Sequence, residues 1–86
     1  MTTLQYQTLE SLPLAREAYI YRLNSAGEGR RRLLDLGFSV GSPVTALFRS
    51  PFGSLTAYRI MGSIIALRPE DASQILICPP KREALL

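Results

Sequence analysis

The chain contains no histidine and a single cysteine, Cys78. The first absence removes the commonest metal ligand and the commonest general base together. The second leaves no partner for an internal disulfide and points to a reducing compartment. Cys78 sits at a predicted strand end before two prolines, with no second cysteine or histidine to activate it, and reads as an inert thiol. Long apolar runs are also missing. The longest wholly aliphatic stretch, Ile64–Leu67, is far short of a membrane span. Met1–Gln7 has neither the basic start nor the apolar core of a signal peptide, so the expected location is cytoplasmic. No glycine-rich loop ending in Lys-Ser/Thr occurs, which argues against nucleotide hydrolysis by this chain. Enzymatic chemistry is not expected, and no catalytic, cofactor-binding or metal-ligating set emerges from the residues.

What is present is the composition of a folded domain. The 86 residues are 47% hydrophobic and 20% charged, enough for one domain and unlike a disordered chain. Net charge is +3, too mild by itself to indicate a nucleic-acid partner.

The organising stretch is residues 30–41. Gly37 suits a left-handed position just after a helix, and Phe38 can then fold back on Leu33 as a Schellman ending requires. At the other end, Ser25-Ala26-Gly27-Glu28 has capping-box spacing, with Ser25 as the cap. Glu28 and Arg32 have the favourable i,i+4 order, Arg31 can pair with Asp35, and Gly29, Leu33 and Leu36 share a stripe, with Gly29 allowing close approach to the sheet. Before the helix, residues 8–13 read as one capped turn with Leu9 and Leu12 facing inward, and Pro13 stops it. Residues 16–23 read as the first strand, with Ala18 and Ile20 inside and Tyr19 and Tyr21 outside.

After the helix, residues 43–49 form the second predicted strand, with Val44, Ala46 and Phe48 on one face. Residues 50–54 are a turn, and residues 55–61 a strand with Tyr58 and Ile60 on one face. Gly62-Ser63 is a hairpin signal leading into a strand at 64–68. Pro69 opens one helical turn with Ala72 and Ile75 inward, and 74–78 form a fifth strand. The expected architecture is mainly β with one short α-helix, a small five-stranded SH3-like barrel over residues 8–78, with flexible termini at 1–7 and 79–86. Exposed strand edges leave a weak homo-oligomer open.

The order of motifs resembles the FeoA family. The matching residues are Leu12-Pro13-Leu14, Arg31 to Phe38, Gly41-Ser42-Pro43-Val44, Arg49 to Gly53, Arg59 to Gly62, Ala66-Leu67-Arg68, and Asp71-Ala72 with Ile75 and Ile77. The chain departs from many relatives at Ala15, where they carry glycine, and at Ser54-Leu55, where they carry Asp-Pro. The resemblance implies an SH3-like barrel associated with bacterial ferrous iron uptake. It further implies a partner in the FeoB permease, which carries a cytoplasmic GTP-binding domain, and modulation of transport without catalysis. The same domain type ends iron-dependent repressors, so a divalent-metal-sensing domain and a small basic nucleic-acid binder are the alternative functions, the latter disfavoured.

The residues proposed to face a partner are Arg30, Arg31, Arg32, Phe52 and Tyr58. The three arginines are the strongest charge feature and could meet an acidic surface. Successive helical residues fan about 100° apart, so a solvated helix face is the plainer account of them. Phe52, in a turn, is either a partner anchor or a lid on the barrel. Tyr58, with Tyr19 and Tyr21, could line a groove for an extended peptide, although ordinary strand packing explains all three. Glu70-Asp71 could supply oxygen ligands, but a first-turn role at the helix dipole is the better reading.

Overall fold

The structure, a computed structural model, describes residues 7–79. The expectation of flexible termini at 1–6 and 80–86 lies outside the described residues. Gln7 is not a lead-in: Gln7–Thr8 form a short strand, β1, paired antiparallel with the last strand at Gln7–Ile77 and Thr8–Leu76. The sheet therefore has six strands where five were expected. The others are β2 (Glu17–Leu23), β3 (Pro43–Arg49), β4 (Thr56–Ile60), β5 (Ser63–Leu67) and β6 (Ile75–Cys78). They lie in the order β1-β6-β2-β3-β4-β5, with every pairing antiparallel. Helix α1 (Gly27–Leu36) joins β2 to β3, and a single turn, α2 (Pro69–Ala72), joins β5 to β6.

The sheet curls around one core because its inward residues come from every long strand. Ala18, Val44 and Ile60 are direct cross-strand partners over β2, β3 and β4, and Ile20 meets Ile77 across β2 and β6. All five are buried in the same cluster as Leu9, Leu12, Ala72 and Ile75. Two bulges bend the sheet and switch its alternation. Tyr21 is the extra residue between the Ile20–Ile77 and Arg22–Leu76 pairs, and beyond it Leu23 turns inward. Leu47 is the extra residue between the Ala46–Tyr58 and Phe48–Ala57 pairs. The second bulge corrects one expectation: Phe48 does not follow Val44 and Ala46 into the core but faces out, 58% exposed.

Turn chemistry differs from the sequence reading at one hairpin. Ile60 pairs with Ser63, so the two-residue turn is Met61-Gly62, with φ of +50° and +81°. That is the signature of a type I′ turn, one residue earlier than expected. No ladder joins β1 to β5 among the described residues. The 3-10 turn Leu9–Ser11 packs against α2 in that region and buries Leu9. Ser11 Oγ donates to the Thr8 carbonyl at 2.8 Å, and the Thr8 side chain makes no cap.

The C-terminal end of α1 has the expected form. Gly37 lies at φ +108°, its N–H reaches the Leu34 carbonyl at 3.0 Å, and the Phe38 N–H reaches the Leu33 carbonyl at 3.0 Å. This is the bond pair of a Schellman motif, and Leu33 and Phe38 are both buried in the core. The N-terminal end does not have the expected form. The cap is Ala26, Gly27 opens the helix at φ +62°, and no side chain caps it. Ser25 sits one residue too early, and its hydroxyl is buried without a partner among the described residues. Gly29 is exposed and does not approach the sheet; a Cβ there would meet the Ser25 Cβ at an ordinary 3.8 Å.

Candidate docking surface

Tyr58 is not a surface residue. It points inward from β4 beside Ile60, is 1% exposed, and its hydroxyl donates to the Leu9 carbonyl at 3.4 Å. It therefore ties β4 to the N-terminal turn and cannot anchor a partner. Burial pushes its phenol above the usual 10.0; Thr56 and Arg49 pull the other way, and Glu10 adds to the rise. Tyr19 and Tyr21 do line an apolar groove with Val40, Gly41, Cys78 and Pro79 on the outer side of β2 and β6.

Phe52 stands 96% exposed at the tip of the β3–β4 loop, so it is not a lid on the barrel. The loop is closed at its base. Ser50 N–H donates to the Leu55 carbonyl at 2.9 Å, Leu55 N–H donates to Ser50 Oγ at 3.0 Å, and Gly53 N–H donates to the Ser50 carbonyl at 2.9 Å. Gly53 takes φ +74°, a conformation suited to glycine. The Leu55 N–H thus has a structural role. A proline at 55 would lack the N–H that this loop uses to hold its base.

The arginines of α1 separate as helical geometry dictates. Arg30 and Arg31 face solvent. Arg32 turns toward α2, where its Nη2 lies 4.0 Å from Asp71 Oδ2, with both side chains substantially exposed. The expected Glu28–Arg32 and Arg31–Asp35 pairs are not formed among the described residues; Arg32 reaches across to the neighbouring element instead. An exposed pair of this length contributes at most about 1 kcal/mol and is screened by salt. Arg32, Asp71 and Glu70 line one hollow together with Leu55, Ala66 and Arg68. Leu55 also closes the base of the Phe52 loop, so the end of β5, α2, the middle of α1 and that loop share one side of the molecule.

Among the described residues no three or more His, Cys, Asp or Glu side chains come together to hold a metal ion. No helix among them is long and apolar enough to cross a membrane. The residue that sequence reasoning missed is Phe48. Its outward position follows from the Leu47 bulge, and a single alternating pattern carries no signal of that bulge.

Comparison with known proteins agrees with this geometry. The FeoA domain profile matches residues 7–79. A relative in Porphyromonas gingivalis, described as a fusion of Fe(2+) transport protein A with the Fe(2+) transporter FeoB, is 36% identical over 67 residues. That match covers 78% of this chain but only 8% of the fusion protein. Among solved structures, iron(II) transport protein A of Clostridium thermocellum superimposes with a TM-score of 0.79 at 27% identity, covering 84% of this chain and 45% of that one. The FeoA of Stenotrophomonas maltophilia, complexed with zinc and described as a prokaryotic SH3 domain protein, gives a TM-score of 0.73 at 27% identity, covering 83% and 88%. With a mainly β, SH3-like fold and a profile match over all of its described residues, the chain belongs to the FeoA domain family.

Proposed function

We propose that this chain is a non-catalytic cytoplasmic accessory protein of ferrous iron transport that binds a FeoB-type permease and modulates it. The observation that carries the reading is the Porphyromonas gingivalis fusion, in which an Fe(2+) transport protein A segment and a FeoB transporter share one polypeptide. Covalent joining holds two parts at high effective concentration, an arrangement suited to modules that act on each other. The cytoplasmic GTP-binding domain is the natural docking partner for a small barrel none of whose described helices is long and apolar enough to cross a membrane. Arg30, Arg31 and Phe52 offer exposed positive charge and an exposed aromatic side chain, both common in protein interfaces. The side chains of the site provide recognition and contain no nucleophile–base pair for chemistry.

Ferrous iron uptake by cells tests the reading. Deleting the gene should change FeoB-dependent uptake, and resupplying the chain should restore it. Unchanged uptake after deletion would remove the proposal.

A further inference from the structure

The outer face of β3–β5 has a composition unlike the rest of the molecule. From Leu36 to Pro69 there is no aspartate or glutamate, and the only charges are Arg49, Arg59 and Arg68. The register sets two rows across this face. Phe48, Ala57 and Ala66 are cross-strand neighbours in one row, and Thr45, Arg59 and Ile64 in the next. Phe48 is 58% exposed and Ile64 59%, while Ala57 is buried between its neighbours. The result is a shallow trough: a floor of two alanines, with Phe48 on one side and Ile64 diagonally across. Strand spacing places those two large side chains about 10–12 Å apart, close to the ~10 Å diameter of an α-helix. In the rows themselves the first carboxylate is Glu17 of β2, beyond Thr45; past Ala66, Glu70 and Asp71 border the neighbouring hollow, where Asp71 faces Arg32 and Arg68 also lies.

We infer that this trough docks an acidic amphipathic helix of the partner, its apolar stripe against Phe48, Ala57 and Ile64 and its carboxylates against Arg59. The inference rests on the proposed FeoB partnership and names the face that serves it. Charge decides among occupants. A second copy of this chain, seated by two-fold symmetry, would bring Arg59 toward its own counterpart and repel. An anionic bilayer would favour apolar groups gathered at one protruding tip, whereas Phe48 and Ile64 are spread over a curved sheet with alanines between them. A helix laid in a groove satisfies both the spacing and the charge.

The test is a titration of the soluble GTP-binding domain of the FeoB-type permease against wild type, Phe48→Ser/Arg59→Glu, Ile64→Lys/Arg59→Glu, and the control Arg22→Glu on the exposed side of β2. All these positions are exposed, and a thermal melt confirms that each variant folds. Both trough variants should bind at least tenfold more weakly, and the control within threefold of wild type. Trough variants that bind like wild type, or a control that loses more than they do, would overturn the inference and leave the FeoB partnership standing. No binding by wild type would remove the partnership and the inference with it. A parallel arm uses phosphatidylglycerol vesicles. Wild-type adsorption abolished by the trough variants would reassign the face to lipid and overturn the helix.

Discussion

At the scale of single residues, the least comfortable position in the chain is Ala15. It takes φ +68° in the turn feeding β2, and its N–H donates to the Ala46 carbonyl at 2.6 Å. A left-handed L-residue costs about 1–2 kcal/mol, partly offset in glycine by greater freedom of the unfolded chain. Ala15→Gly should therefore stabilise the fold by about 1 kcal/mol, raising the melting temperature by roughly 4–8 °C. A melt that is unchanged or lower would show that the turn carries no such strain. Tyr58 gives a second test at this scale. Its phenol is raised by burial above 10.0, so the folded chain keeps a proton that the unfolded chain releases near that pH. The stabilising contribution is complete below pH 10 and falls as pH rises through that value toward the folded pKa. Tyr58→Phe should cost about 1 kcal/mol or less at neutral pH, the lost bond to Leu9 being long. It should also flatten the alkaline decline, read as urea midpoints at neutral and strongly alkaline pH. The inward direction of Tyr58 beside Ile60 was legible from alternation. The missing information was that β4 is paired on both sides, by β3 and β5, and that the Leu9 turn closes over its inward face.

At the scale of elements, α1 shows what local sequence can and cannot specify. Its C-terminal stop is readable because one residue type, glycine, and one apolar pair, Leu33 and Phe38, suffice to set the geometry. Its start is not, because Gly27 at φ +62° admits the chain one residue later than Ser25 would. A flexible glycine thus overrides a capping motif that a stiffer residue would have enforced. The two glycines at 29 and 37 should respond in opposite directions. Gly29→Ala meets only an ordinary contact on an exposed helix face and should stabilise by up to about 1 kcal/mol. Gly37→Ala forces φ +108° on an L-residue and sets its Cβ 3.2 Å from Met61 Cγ, so it should destabilise by about 1–2 kcal/mol or more. Chemical denaturation of both variants reads the pair; shifts of the same sign would contradict this account of the helix. The bulges belong to the same scale. Phe48 reaches the surface only because Leu47 is inserted against β4, a tertiary pairing that no local pattern announces.

At the scale of the whole molecule, the fold class follows from motif order: alternating strands, one capped helix and a tight hairpin leave a curled antiparallel sheet as the economical arrangement. The short β1 escaped notice because two residues carry no periodicity; only their pairing with Ile77 and Leu76 makes them a strand. Of the proposed function, the sequence discloses the exposed arginines and Phe52 on which the docking proposal draws, while the interior is filled by a continuous apolar cluster. The account's central claim is that this barrel acts by docking on a FeoB-type permease. The most direct test is a calorimetric titration of the wild-type chain into the full-length permease reconstituted in nanodiscs. The account predicts saturable binding that weakens as salt rises. Absence of heat at every salt concentration, with the two proteins eluting separately from a sizing column, would contradict it.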